Sequence, residues 1–128
     1  MTPAGGGFAD RVFVYGTLRR GGSNHRWLRG APRLGAHRTA AQFTLLDLGP
    51  YPAAVAGGRT ALRGEVYAVD AARLALLDRL EDCPREYRRQ RIPTPFGAAW
   101  IYLYRRPAPG APRIASGDWL GYRRQSRR

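Results

Sequence analysis

Asp70-Ala-Ala-Arg-Leu-Ala-Leu-Leu-Asp-Arg-Leu-Glu-Asp-Cys-Pro84 predicts a single helix with a well-defined start and end. Asp70 is a favourable N-cap, and Ala71 to Leu77 are strong helix formers without a glycine or a β-branched side chain. Pro84 disfavours the helical conformation at Cys83. We therefore expect the helix to begin after Asp70 and its last turn to close near Glu81.

Glu81 occupies a position of this helix where a leucine would be expected. At about 100° per residue its side chain falls on one arc with Leu74, Leu76, Leu77 and Leu80. An ionised carboxylate buried without a partner usually takes up a proton instead. Burial and the negative end of the helix dipole would both raise the pKa of Glu81, which suits a general acid-base group.

The same periodicity also fits a carboxylate that reaches water or pairs with Arg88 or Arg89. Glu65 is a rival acid, because it lies in the predicted strand Ala61–Val69, where alternation leaves its side chain facing either solvent or the interior. We favour solvent for Glu65. Glu86 is expected on a loop surface.

The stretch Arg11-Val-Phe-Val-Tyr-Gly-Thr-Leu18 predicts a strand that stops at Gly16 and continues into a loop. Ser23 or Asn24 would then cap a short helix through Leu28. Backbone amides from Gly16 to Leu18 would lie between a strand end and a helix start, where they can hold a carboxylate or an oxyanion. An ordinary turn has the same pattern, since the loop lacks a full phosphate-binding motif.

The remaining pattern is mostly strand and turn, which predicts an α+β fold with two short helices and five or six strands. The chain of 128 residues fits one domain, 1–128, and we expect flexible ends at 1–10 and 123–128. Further candidate strands are Phe43–Leu48, Ala61–Val69, Tyr87–Ile92 and Ala98–Tyr104, the last apolar enough to be a buried central strand.

The net charge of +13, with all 22 basic residues being arginine, is the main argument for a nucleic-acid partner. However, the arginines are scattered and no known nucleic-acid module is present, so we attribute their number to the codon bias of a GC-rich genome. Nucleic acid is therefore not the expected partner.

Cysteine and histidine usage argues against a metal centre. The single cysteine, Cys83, forms no internal disulfide, and His25 and His37 are far apart in sequence. No stretch of about 18 apolar residues is present, and the first ten positions do not form a signal peptide. We expect a cytoplasmic protein of bacterial type, monomeric by default and not associated with a membrane.

Five motifs, in order along the chain, resemble those of the γ-glutamylcyclotransferase family. The resemblance runs from about Val12 to Trp119 and is strongest to the branch with γ-glutamylamine cyclotransferase and the plant avirulence-induced-gene-like proteins. The motifs are Tyr15-Gly16-Thr17-Leu18, Gly49-Pro50-Tyr51-Pro52-Ala53, Gly64-Glu65-Val66-Tyr67, Leu77 to Pro84 with Tyr87, and Ser116-Gly117-Asp118-Trp119.

The resemblance implies an enzyme that releases 5-oxoproline when the α-amine of a γ-glutamyl amine or amino acid attacks its own γ-carbonyl. Such an acyl transfer, of the cyclotransferase (lyase) class, uses no metal, cofactor or protein nucleophile, and folding the substrate is the main task. Glu81 would be the general base and then the acid. Backbone N–H groups of the loop from Tyr15 through Gly16 and Thr17 to Leu18 would hold the glutamyl group, and Tyr15 and Tyr87 would wall the pocket. The implied fold is a mixed sheet curled into a small barrel.

Two alternatives share this resemblance. A biosynthetic deprotection enzyme would differ only in the leaving amine. A non-catalytic module on the same fold would bind a ligand, for example a polyanion, without turnover. The hydroxyl of Thr17 faces either the substrate or the backbone. Asp118 either contacts the substrate or orders the C-terminal segment, and we favour the structural role.

Overall fold

The computed structural model describes residues 7–126. Strands outnumber helices in this range, and ten elements follow one another along it. They are β1 (Asp10–Val14), a 3₁₀ helix (His25–Leu28), β2 (Arg33–Arg38), β3 (Phe43–Asp47), β4 (Pro52–Ala56), β5 (Arg63–Val69), α1 (Ala71–Leu80), β6 (Tyr87–Ile92), β7 (Ala99–Tyr104) and α2 (Trp119–Ser126).

Two sheets make up the α+β fold, which confirms the predicted class. The larger one has five strands in the order β2-β5-β1-β7-β6, and it is mixed because β1 runs antiparallel to β5 and parallel to β7. Strands β3 and β4 form a separate hairpin. Isolated bridges are the only ladder contacts that this hairpin makes within residues 7–126, so the predicted barrel is not closed.

Strand β1 is covered on both faces and therefore places the loop after it in the interior. Phe13 contributes to a core with the hairpin, whereas Val12 and Val14 pack toward α1 and the 3₁₀ helix. This alternation is the strand period of two. The predicted buried strand Ala98–Tyr104 is β7, which lies between β1 and β6.

Helix α1 begins and ends where the sequence predicted. The carboxylate of Asp70 accepts a hydrogen bond from the Arg73 N–H at 2.7 Å, and the N–H of Glu81, the C-cap residue, donates to Leu77 O. Within the predicted apolar stripe Leu74 and Leu77 are buried, but Leu80 is 37% exposed. The inward line is therefore Leu74, Leu77 and Glu81, at positions i, i+3 and i+7 of one face.

Three elements were missed by the sequence analysis: β2, β4 and α2. Residues 123–126 belong to α2 and Asp10 belongs to β1, so the ends predicted to be flexible overlap these two elements. Residues 1–6 and 127–128 lie outside the described range. None of the three helices in residues 7–126 has the length and apolar composition needed to cross a membrane.

Candidate active site

A narrow cavity opens where the end of α1 meets the loop after β1. Its volume is about 30 Å³, which is room for two or three water molecules. The six residues that the sequence predicted for the site all line it: Tyr15, Gly16, Thr17, Leu18, Glu81 and Tyr87. The lining consists of Phe13, Val14, Tyr15, Gly16, Thr17, Leu18, Tyr51, Pro52, Glu81, Tyr87 and Tyr102.

Glu81 enters this cavity from the C-cap position of α1. Burial raises its pKa to about 7, and the nearby Glu86 carboxylate adds to the shift. The alternative pairing is not formed: Arg89 Nε lies 2.8 Å from Asp78 Oδ1, and Arg88 Nη1 donates to Gln90 Oε1. Within residues 7–126, no arginine forms an ion pair with Glu81. Its carboxyl group is thus poised to gain and lose a proton near neutral pH.

The loop after β1 presents three consecutive backbone donors at the cavity. The N–H groups of Arg19 and Asn24 are bonded to Gly16 O and Thr17 O. In contrast, the N–H groups of Gly16, Thr17 and Leu18 find no acceptor among the described residues. Buried amides without a partner are rare, so a run of them beside a cavity is typical of a site for an anionic group.

Gly16 allows strand β4 to close one wall of the cavity. A Cβ added at this position would lie 2.7 Å from Pro52 Cγ, nearer than side chains tolerate. Any larger residue would push the Tyr51-Pro52 segment away from the loop. The sequence analysis quoted this segment as a motif but did not assign it to the site.

The hydroxyl groups of the two predicted wall residues are bonded to the backbone. Tyr15 donates to Tyr102 O at 2.7 Å and accepts from Ala54 N–H, and Tyr87 donates to Pro52 O at 3.1 Å. Burial raises the pKa of both phenols far above the usual range. The Glu81 charge adds to the shift for Tyr15, and the Tyr15 and Glu81 charges add to it for Tyr87. These residues therefore shape the cavity as neutral walls.

The Thr17 hydroxyl lies on the outer side of the loop. It accepts a hydrogen bond from Asn24 Nδ2 at 3.1 Å. Asn24 was expected to cap the short helix, but no side-chain cap bond is formed there, and its side chain ties that helix to the loop instead. The second tie is His25, whose Nδ1 lies 3.0 Å from Leu18 O.

A second cavity of about 230 Å³ continues outward from the first. The two share Thr17, Tyr51, Glu81 and Tyr87, and the outer one adds Asn24, Leu80 and Glu86. Glu86 lies in the turn before β6, in keeping with its expected place on a loop, and it is partly exposed. Its carboxylate reaches the site because the turn between α1 and β6 folds back, with Glu86 N–H donating to Asp82 O.

Glu65, the rival acid, is buried and paired. Only 4% of it is exposed, so the favoured solvent-facing orientation is wrong. Its Oε2 accepts from Arg19 Nε at 2.7 Å, and its Oε1 accepts from Arg20 N–H at 3.0 Å. The reason is that β5 has neighbours on both sides, β2 and β1, and the loop after β1 covers this end of it.

Asp118 joins the same network from the start of α2. It accepts from Arg19 Nη1 at 2.9 Å and from Gly121 N–H at 3.1 Å. Although burial acts in the opposite direction, the Gly121 amide and the Arg19 guanidinium hold the pKa of Asp118 below its ordinary value. Asp118 is not among the residues that line either cavity, in keeping with the structural role that the sequence favoured.

Three contributors to the site were missed in the sequence: Tyr51, Tyr102 and Glu86. Tyr51 carried a signal, since it lies in a quoted motif. Tyr102 contributes from the middle of an apolar strand, and Glu86 looks like any charged loop residue. Their roles come from packing against distant segments, for which sequence periodicity has no signal.

The family described as gamma-glutamyl cyclotransferase, AIG2-like, matches residues 12–121. A relative from Vibrio cholerae, described as a putative gamma-glutamylcyclotransferase, is 53% identical over 108 residues, which are 84% of this chain and 93% of that protein. The human gamma-glutamylaminecyclotransferase is 46% identical over 92 residues, which are 61% of this chain and 57% of that protein.

Among solved structures, an uncharacterized protein from Pyrococcus horikoshii has the same fold. It superposes with a TM-score of 0.80 at 33% identity, covering 93% of this chain and 97% of the other. Residues 12–121, which the family matches, include every residue that lines the two cavities.

Proposed function

Because the chain belongs to the gamma-glutamyl cyclotransferase, AIG2-like family, we propose that it releases 5-oxoproline from a γ-glutamyl amine, with Glu81 as the catalytic residue. The observation that carries this proposal is the arrangement around one cavity. It brings together a carboxyl group whose pKa is raised to about 7 and three backbone N–H groups that have no acceptor within residues 7–126.

The reaction needs the substrate to be folded more than it needs a strong nucleophile. The α-amine and the γ-carbonyl belong to one molecule, so a site that holds the glutamyl group in a ring-like conformation supplies most of the rate enhancement. The amides of Gly16, Thr17 and Leu18 would hold the glutamyl group and the oxyanion that develops on the γ-carbonyl oxygen. Because the loop already holds these donors in place, little free energy is spent on reorienting them when the oxyanion forms.

Glu81 would carry the protons between the two nitrogens. The carboxylate takes a proton from the α-ammonium, the free amine attacks the γ-carbonyl, and a C–N bond forms. Glu81 then returns the proton to the leaving nitrogen as the old C–N bond breaks. A second proton follows the same route from the ring nitrogen, so that two protons move in total. The products are 5-oxoproline, with a neutral lactam nitrogen and its α-carboxylate still ionised, and the ammonium form of the leaving amine. A pKa of about 7 suits both directions of transfer at neutral pH.

The outer cavity would receive the leaving amine. Glu81 and Glu86 are its two charged lining residues, and no arginine lines it within residues 7–126, although the whole chain carries +13. A leaving group with its own carboxylate would be repelled here, whereas an alkyl amine would pack its carbons on Leu80 and Tyr51. We therefore favour γ-glutamyl amines over γ-glutamyl amino acids, in line with the printed name of the human relative.

A substrate panel with 5-oxoproline as the readout tests the proposal. The panel contains γ-glutamyl alkylamines, γ-glutamyl amino acids and larger γ-glutamyl amides such as protected metabolites. We expect turnover of the alkylamines by the wild type and none by Glu81→Gln. Asp82→Asn is the matched control, because it removes the neighbouring carboxylate, which pairs with Arg85.

Each result has a distinct reading. Preference for the larger amides would identify a deprotection enzyme with the same chemistry. No 5-oxoproline from any member of the panel would overturn the proposed activity. Equal turnover by Glu81→Gln and the wild type would overturn the role of Glu81 alone.

A further inference from the structure

Arg19, the residue after the three amides of Gly16 to Leu18, is held by two carboxylates from distant parts of the chain. Arg19 Nε donates to Glu65 of β5 at 2.7 Å, and its Nη1 donates to Asp118 at the start of α2 at 2.9 Å. The side chains of Arg19 and Glu65 are 16% and 5% exposed. We refer to Arg19, Glu65 and Asp118 as the loop clamp.

The carboxylates of the clamp are themselves held in one frame. Arg63 N–H, at the start of β5, donates to Gly117 O at 2.9 Å, which joins the segment of Glu65 to the segment of Asp118. Each acid follows a glycine that packs against backbone. A Cβ at Gly64 would collide with Val14 O, and one at Gly117 would collide with Ala61 O. The two segments therefore approach closely enough for one guanidinium to reach both carboxylates.

The clamp also holds the backbone of the loop directly. Glu65 Oε1 accepts from Arg20 N–H at 3.0 Å, and Arg19 N–H donates to Gly16 O at 3.0 Å. The amides of Gly16, Thr17 and Leu18 lie between these fixed points and have no acceptor of their own among the described residues. The bonds from Asn24 to Thr17 and from His25 to Leu18 O join this loop to the 3₁₀ helix, whereas the clamp joins it to β5 and to the start of α2.

We propose that Arg19 is a positioning residue that keeps the amides of Gly16 to Leu18 aligned for the substrate through its pairing with Glu65 and Asp118. The inference rests on the proposed function, because those amides are the proposed holders of the glutamyl group. Arg19 does not line either cavity of the site, so it acts on the reaction only through the loop. A guanidinium fits this role better than an ammonium, since its planar fork bonds two acceptors in a fixed geometry.

The kinetic test compares Arg19→Lys with Arg73→Lys. Arg73 is a matched control, because its guanidinium also makes two hydrogen bonds, to Trp27 O and Arg29 O, but lies away from the loop. We expect kcat/KM for a γ-glutamyl alkylamine to fall about 10- to 100-fold in Arg19→Lys and to stay within about twofold in Arg73→Lys. The midpoint of the pH profile should stay where it is in both variants, since Glu81 is untouched.

A second measurement reports the backbone mobility of the loop and needs no turnover. Backbone ¹⁵N order parameters of Gly16, Thr17 and Leu18 should be near 0.85 in the wild type and clearly lower in Arg19→Lys and in the milder Asp118→Asn. Unchanged order parameters in both variants would overturn the proposal, and so would equal kcat/KM losses in Arg19→Lys and Arg73→Lys. An inactive wild type would overturn the proposed function, while the order parameters would still decide whether the clamp holds the loop.

Discussion

Glu65 and Glu81 both lie beside the loop after β1, and they differ in the charged groups around them. Glu65 is bonded to the Arg19 guanidinium and to the Arg20 amide. Glu81 has no cation beside it within residues 7–126, and its closest charged influence is another acid, Glu86. Glu65 is buried and Glu81 is partly exposed, but a cationic partner among the described residues is present only for Glu65.

The contrast separates a structural acid from a candidate catalytic one. A carboxylate paired with a guanidinium stays ionised and ties segments together. A carboxylate that is desolvated and set near a like charge is left with a raised pKa, which costs stability but allows proton transfer near pH 7. In this chain the absence of a partner is more informative than the degree of burial.

The largest expected effect is on turnover. Glu81→Gln keeps the shape of the side chain and removes the proton carrier, so kcat should fall by about 10³-fold or more. Glu65→Gln should retain turnover within about tenfold of the wild type, once corrected for the folded fraction. Steady-state kinetics with 5-oxoproline detection measures both. A larger loss in Glu65→Gln than in Glu81→Gln would reverse the assignment of the two acids.

The next effect is on stability, and here Glu65 should matter more. Glu65→Gln leaves the Arg19 charge with one carboxylate instead of two in a poorly solvated position, which should lower the free energy of unfolding by about 2–3 kcal/mol. Urea denaturation at pH 7 measures it. The control is Asp82→Asn, whose ion pair with Arg85 is exposed and should change the stability by no more than about 0.5 kcal/mol. A loss in Glu65→Gln as small as that of the control would contradict the contrast.

The change in the free energy of unfolding caused by Glu81→Gln should have the opposite sign and should depend on pH. The folded pKa of Glu81 is raised from 4.5 to about 7, so the neutral form is favoured in the folded state, and stability is lost as pH rises between these values. The variant does not titrate. It should therefore be more stable than the wild type by about 3 kcal/mol at pH 8 and by little at pH 4. A gain that is the same at both pH values would show that Glu81 is not desolvated.

The smallest expected effect concerns Glu86. Its charge raises the pKa of Glu81, so Glu86→Gln should move the acidic limb of the kcat/KM profile to lower pH. Burial, the larger cause, is unchanged, and the neighbouring phenols of Tyr15, Tyr51, Tyr87 and Tyr102 stay neutral at the pH values measured. The profile of Asp82→Asn serves as the reference. A shift to higher pH would mean that Glu86 does not act on Glu81 by charge repulsion.

Much of the site was readable from local patterns. The N-cap Asp70, the leucine spacing and Pro84 predicted the end of α1 at Glu81, because each acts within a few residues. Likewise, the apolar run before Gly16 predicted where β1 ends. Local patterns did not indicate whether the expected small barrel is closed, since whether a hairpin completes a sheet depends on contacts between distant strands, and β3 and β4 make only isolated bridges to other segments of the described region.

The amino-acid sequence by itself determined which residues could do the chemistry: an acid at the end of an amphipathic helix and a glycine turn after a buried strand. Both follow from interactions between neighbours along the chain. Only the tertiary structure decided which acid is paired. Arg19 meets Glu65 and Asp118 across 46 and 99 positions, whereas Glu81 meets no arginine within residues 7–126. The reason is physical: the pKa of a carboxylate depends on its surroundings in space, and folding brings those surroundings from all parts of the chain.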